Sequence, residues 1–327
     1  MSKFNIKIID RNNENDYKLW IKKLEDFNGA TIFHNPDFLS YHNDRFDECH
    51  LGFYKGEQLF GMIPLAILDE NNIKIAKSPY GASYGGFIFQ SLLNYSDSKE
   101  IVNLLINYLK KMKVNKIIIT PSLPIHHNNG YSDTFSFSLI ENGFKVVNSD
   151  ITSTVSLNNK NIETDIFTSK IKNVVRKARK ARKANIEIKY RCDIDDFWLL
   201  MDKTFEKHGT TPTHTKKQYQ DLMNYFPNEI YCNLAYLDDI PVAGIGIFEI
   251  NKKNIMSFYL CSDNEYQQTQ AMSLLIYETI INSQERNFDF FDFGTSSVNM
   301  IGRENIFRFK ESFGAVGIFK NTFILEL

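Results

Sequence analysis

Asp292 stands in the run FDFFDFG, where strand alternation sends Asp289, Phe291 and Phe293 to one side and Phe288, Phe290, Asp292 and Gly294 to the other. A carboxylate among phenylalanines is costly unless it is paired or functional, and burial raises its pKa toward that of a useful base. The same residue also suits a structural role, bracing the loop through the N–H groups of Thr295 to Ser297. Lys310 follows eighteen positions later, between Phe307 and Phe313, where a lysine can lie over aromatic rings. His208, in KHGTTPTH, ends a helix at Gly209 and heads a polar loop. It can accept a proton from an attacking amine, or cap the helix.

A fourth candidate is a charge run. From Lys170 to Lys189 nine cations stand against the single anion Glu187, although the 327 residues together carry a net charge of −1. The whole surface is therefore not built to grip DNA or an anionic membrane, and any polyanion site must be local. Ile171, Val174, Val175 and Ala178 recur at helical spacing, which seats one face and turns Arg176, Arg179 and Lys180 outward. That face is either a solvated surface or a capture site for a nucleotide-sugar diphosphate, CoA or tRNA.

Other chemistries have little to stand on. His126 and His127 lack spaced carboxylate or thiol partners, so no metal site is expected. GxSxG, Walker A and Rossmann GxGxxG patterns are absent. Cys49, Cys192, Cys232 and Cys261 form no CxxC pair, which suggests reduced thiols in a cytoplasmic protein. MSKFNIKIID has no apolar leader core, and the longest apolar runs fall far short of a membrane span.

These residues must be positioned by an α/β framework. In the first half, strands are predicted at Phe4 to Ile9, Cys49 to Tyr54, Leu59 to Leu68, Ile73 to Lys77, Lys116 to Thr120 and Lys145 to Leu157, with helices between them. After a basic helix over 169–184, the second half repeats the order β α α β β β α β α β. Its long helix runs from Gln267 to Arg286, its strand from Phe288 carries Asp292, and its helix from Arg303 to Ser312 carries Lys310. The reading is a mixed sheet with flanking helices, duplicated, with domains at 1–158 and 159–327.

FDFGTSS from Phe291, RENIFRFKESFGA from Arg303, HNPDF from His34, the SPYGASYGG loop from Ser78 and the basic KNVVRKARKA segment together resemble the tandem GNAT-fold, Fem-like acyltransferases. The resemblance implies two tandem GNAT-like domains, the second catalytic, and an N-acyltransferase that moves an acyl or aminoacyl group to the amine of an amino sugar on a nucleotide- or lipid-linked precursor. It implies acyl-CoA as donor, with aminoacyl-tRNA as the alternative. In this picture Asp292 accepts a proton or orients the amine, and Lys310 offsets charge as the acyl group moves. His208 joins them as a catalytic candidate. Tyr80, Tyr84 and Tyr259 line the acceptor cleft, while Arg176, Arg179 and Lys180 hold phosphate. Gln270, Ser296, Arg303 and Phe309 complete the substrate contacts. The rival enzyme reading is an aminoacyl-tRNA-dependent peptidyltransferase acting on a peptidoglycan precursor. A non-catalytic binding module is the rival from another class, because Gln270 and Met272 replace the small residues of CoA users.

Overall fold

The computed structural model describes residues 3–42, 45–158 and 167–327. One compact unit comprises residues 1–150 with 319–327, and the other residues 151–318.

Along the first unit come β1 (Asn5–Ile8), α1 (Glu14–Leu24), α2 (Pro36–Ser40), β2 (Asp47–Glu48), β3 (Leu51–Lys55), β4 (Gln58–Ile63), β5 (Ala66–Glu70), β6 (Ile73–Ser78), β7 (Ile88–Phe89), α3 (Tyr95–Lys111), β8 (Lys116–Ile119), α4 (Thr134–Glu141) and the start of β9 (Lys145–Ser156). The second unit continues with α5 (Phe167–Lys183), β10 (Glu187–Cys192), α6 (Ile194–His208), α7 (Lys216–Tyr225), β11 (Ile230–Leu237), β12 (Ile240–Asn251), β13 (Asn254–Ser262), α8 (Ala271–Glu285), β14 (Phe290–Thr295), β15 (Ser297–Val298), β16 (Ile301–Gly302) and α9 (Glu304–Glu311). The last strand, β17 (Val316–Glu326), carries the chain back into the first unit.

In the first unit β1, β3, β4 and β7 form an antiparallel sheet. A second layer runs from the end of β17 through β8, β6 and β5 to β2, and only β6 and β8 pair in parallel. Helix α3 starts where the Asn94 side chain accepts the Asp97 N–H. Its stripe of Ile101, Val102, Leu105, Ile106 and Leu109 packs into a core with Phe53, Ile63, Phe87 and Ile117. The strand expected from Leu59 to Leu68 is two strands. Pro64 has no N–H for a ladder, and the chain leaves one sheet at Ile63 and enters the other at Ala66.

The second unit is built on β10, β11, β12, β13 and β14, with Thr152 to Ser156 of β9 along the far side of β14. Strand β12 shows how the faces divide. Ile245 and Ile247 join the core made with α5 and α8, whereas an added Cβ at Gly244 or Gly246 would meet Phe197 of α6 or Tyr219 of α7. Helix α5 buries Ile171, Val174, Ala178 and Ala181 against that core, which seats the basic helix as its spacing required. The single helix expected from Gln267 to Arg286 is broken. A 3-10 turn over Asn264–Thr269 ends at Gln270, whose φ is +62°, and α8 begins at Ala271. The Asp263 side chain accepts the Glu265 N–H and so caps the 3-10 turn, while the Thr269 hydroxyl accepts the Ala271 N–H at the start of α8.

Candidate functional site

The site begins where two parallel strands part. β13 and β14 pair at Asn254 with Phe290, Ile255 with Phe291 and Met256 with Asp292, and no further. Beyond Met256, β13 stays on β12 as far as Ser262. β14 stays on β9, but its register slips between Asp292 and Thr295. Such a bulge bends its strand. Gly294 sits in it at φ +72°, and a Cβ there would stand 3.1 Å from Met256 Cε. Glycine therefore serves the backbone turn, and a Cβ would in addition press the end of the Met256 side chain.

Two buried charges hold this bend. Asp292 has no exposed surface, and its Oδ1 accepts from Thr152 Oγ1 and from the Gly294 N–H, both at 2.7 Å. Lys310 is 6% exposed, and its Nζ donates to the Gly294 carbonyl at 2.9 Å and the Thr295 carbonyl at 2.7 Å. Burial pushes the Lys310 ammonium down to about 8, while the Asp292 charge works in the opposite direction. The two residues thus grip the N–H and the C=O of one glycine. Two of the partners that brace Asp292 lie outside the expected Thr295 to Ser297: the Gly294 N–H, turned inward at the bulge, and Thr152 from β9.

The loop after β14 is tied down as well. Ser296 Oγ lies 2.7 Å from Ser153 Oγ, Ser296 N–H donates to the Ile151 carbonyl at 2.7 Å, and Ser297 Oγ accepts the Ile151 N–H at 2.8 Å. Ser296 is therefore buried in loop bracing. Arg303 begins α9 with an exposed side chain, and its N–H donates to the Ser296 carbonyl at 3.0 Å. Phe309 is 36% exposed, with its ring 5.3 Å from that of Phe313. Gln270 marks the break before α8, and its Nε2 donates to the Gln267 carbonyl.

Tyr259 lies on the part of β13 that no longer pairs with β14. Its hydroxyl accepts the His214 N–H at 3.2 Å and lies 2.8 Å from His214 Nδ1. A hydroxyl oxygen that accepts the backbone N–H can send its own proton to Nδ1. His214 was not selected from the sequence. It precedes Thr215, whose side chain caps α7, and nothing local marks it as a partner of a tyrosine 45 positions away. Thr152 was missed for the same reason. The His208 side chain lies outside the described residues.

On α5, Arg176, Arg179 and Arg182 with Lys172 line an open groove of about 370 Å³ beside Tyr277. Arg182 also pairs with Glu278. Lys180 is exposed and does not line the groove.

Tyr80 and Tyr84 belong to the core of the first unit, 2% and 1% exposed. The Tyr80 hydroxyl donates to Glu48 at 3.1 Å, and Tyr84 packs on His126. The parallel pair of this unit, β6 with β8, does not part as β13 and β14 do. Thr120 N–H donates to the Ser78 carbonyl, and Gly85 bonds to Thr120 and Ser122 through its N–H and C=O, so the loop from Ser78 to Gly86 fills the corresponding place.

Among the described residues, no group of three or more His, Cys, Asp or Glu side chains is placed to hold a metal, and no helix is long and apolar enough to cross a membrane.

Residues 168–311 match the family model described as an acetyltransferase (GNAT) domain. No curated protein sequence matches the chain. Among solved structures, the chain is similar to the crystal structure of FemX, with a TM-score of 0.73 and 12% identity over 99% of this chain and 97% of that one. It is also similar to the C-terminal domain of a putative lysylphosphatidylglycerol synthetase from Agrobacterium fabrum (TM-score 0.61, 10% identity, 95% and 91% covered). A third similar structure is a tandem GNAT protein from the clavulanic acid biosynthesis pathway (TM-score 0.56, 8% identity, 99% and 98% covered). Residues 168–311 thus carry the sequence pattern of a GNAT acetyltransferase domain, and the chain has the tandem GNAT fold of these solved structures.

Proposed function

We propose that the protein transfers an acyl or aminoacyl group from a phosphate-bearing carrier to the amine of an amino sugar, or a similar cell-surface precursor, linked to a nucleotide or lipid. The observation that carries this reading is the parting of β13 from β14 over a bend that a buried carboxylate and a buried ammonium clamp at one glycine. A donor carbonyl seated there meets a rigid, partly dry environment, where positioning and fixed charge act most strongly.

The amine nitrogen attacks the carbonyl carbon directly. The N–C bond forms, the bond from that carbon to the carrier's sulfur or oxygen breaks, and the carrier leaves with a proton. Tyr259, on the free part of β13, and His214, in the loop before α7, take the proton that the amine gives up and pass it to the leaving carrier. The Lys310 charge lies under the developing oxyanion. Asp292 acts through the bend it holds and is a positioning residue. The groove at Arg176, Arg179 and Arg182 binds the phosphates of a carrier or precursor.

For acyl-CoA as donor substrate, the start of α8 at Gln270 is where a pyrophosphate would meet a helix N-terminus. Aminoacyl-tRNA is the second reading, favoured by the cationic α5 groove and by similarity to FemX and to a protein named as a lysylphosphatidylglycerol synthetase. A nucleotide-linked acceptor and four free thiols fit a cytoplasmic protein. The test is incubation with acyl-CoAs, aminoacyl-tRNAs, UDP-amino sugars and peptidoglycan precursors, read by mass spectrometry. The expected result is an acyl-sized mass gain on an amino sugar. Gain only on a peptide precursor supports the second reading, and no transfer from any donor overturns both.

A further inference from the structure

We infer that the first unit carries a binding site of its own for a small, uncharged, mainly apolar molecule of aryl or short-acyl type bearing one hydrogen-bonding group. The site is a cavity of about 80 Å³ between β7, the end of β8 and α4. It stands independently of the transfer reaction, which is placed in the second unit.

Three phenylalanines make a rigid wall. Phe87 and Phe89 stack at 5.7 Å, and Phe135 meets their edges at 4.7 and 5.0 Å. Rings locked against one another cannot collapse to fill the space, so the cavity is preformed. The polar end is equally specific. Ser122 is 5% exposed, lines the cavity, and its hydroxyl has no hydrogen-bond partner among the described residues. A buried hydroxyl left in that state is destabilising, and a rotation of the Ser122 side chain toward the cavity would bring it within reach of a polar group there. His127 stands beside it, and burial pushes its imidazole down to about 4, so it is neutral near pH 7.

Geometry keeps this polar end in place. At Gly29, with φ +81°, a Cβ would stand 2.7 Å from His127 Cε1 and 3.1 Å from Ser122 Oγ. Only glycine lets both side chains sit there. Asn28 donates to the Gly130 carbonyl and accepts the Asn129 N–H, which fixes the turn leading to Tyr131. Tyr131 and Leu92, 41% and 48% exposed, line the cavity from its solvent side.

The chemistry of the occupant follows. No Lys, Arg, Asp or Glu lines the cavity, so a phosphate or carboxylate would be desolvated without a counter-charge. An apolar ring or short chain recovers dispersion contacts along the phenylalanine wall, and one donor or acceptor satisfies Ser122. At about 80 Å³ the cavity is roughly half the size of an engineered apolar cavity of about 150 Å³ that binds benzene. A short acyl chain therefore fits inside it, and a ring enters only with part of it at the open side lined by Tyr131 and Leu92.

The test uses the full chain with labelled Ile and Leu methyls, titrated with benzyl alcohol, toluene and benzoate at pH 7.5. Benzyl alcohol should give saturable shifts at Leu92, Ile119 and Leu139 but not at Leu222 of the other unit. Toluene should bind several-fold more weakly and benzoate not at all. Ser136→Trp, at a half-buried position lining the cavity, should weaken benzyl alcohol at least tenfold, and Ser122→Ala should abolish its advantage over toluene. Absence of saturable shifts at those methyls in the parent protein overturns the proposal, whether or not the variants fold. So does benzoate binding as well as the alcohol.

Discussion

Lys310 and Asp292 meet at Gly294, so each can be tested separately from the fold it supports. The folded-state pKa of Lys310 lies below its ordinary 10.5, at about 8. Between those values the unfolded chain holds a proton that the native protein has released, so stability rises with pH across that window. The contribution is about 3 kcal/mol over the full span, and Lys310→Met should flatten it in urea titrations at pH 7.5, 9 and 10. Asp292→Asn and Lys310→Ala should each lower turnover about a hundredfold, the scale of one acid–base or oxyanion group, with acceptor binding retained in calorimetry. Parent-like turnover in both variants would move the site elsewhere. Thr152→Val leaves the buried carboxylate short of a donor and should cost about 1–3 kcal/mol in thermal unfolding. Asp292 and Lys310 were legible as residues because a charge among phenylalanines stands out. Thr152 and His214 were not, because their importance lies in partners 140 and 45 positions distant.

Helix α5 shows how far an element can be read from its period. Its apolar spacing marked the buried face correctly, with Ile171, Val174 and Ala178 all in the core, but it did not rank the outward cations. The structure does: Arg176 and Arg179 line the groove with Arg182, whereas Lys180 does not. Replacing Arg176 and Arg179 with Glu should weaken a phosphate-bearing substrate at least tenfold at low salt, with the difference shrinking as salt rises. Lys180→Glu should change affinity less than twofold. Titrations at two ionic strengths check both, and equal effects from all three positions would make the helix a diffuse cationic surface. The element boundaries that were misread differ in how legible they were. The run from Leu59 to Leu68 did carry a sign in Pro64, which cannot extend a ladder, but its apolar continuity hid the change of sheet. The helix-favouring run at Gln270, where the chain restarts a helix, carries none.

At the scale of the molecule, the first unit stores most of its histidines as neutral groups. Burial pushes His34, His42 and His127 down to about 4 and His126 to about 3, all below the ordinary 6.5. As pH falls through that interval the unfolded chain takes up protons that the native unit refuses, so stability is lost, by about 2 kcal/mol at pH 5 for each histidine that stays neutral. Trp20 is buried in this unit and donates to the His34 carbonyl, whereas Trp198 lies in the other. In a Trp198→Phe variant, Trp20 fluorescence should show a clearly lower urea midpoint at pH 5 than at pH 7. An unchanged midpoint would mean that these rings are protonated without cost. The sequence by itself determined the α/β class, the repeated order of elements, the amphipathic face of α5 and the two charged residues of the candidate site, because propensity, periodicity and an out-of-place charge are local properties. Tertiary structure alone decided that β13 and β14 part while β6 and β8 are filled, that Asp292 accepts from Thr152 and Gly294, and that Tyr80 and Tyr84 are core residues. Register, bulges and buried partners depend on which distant segments meet, and no local pattern encodes that choice.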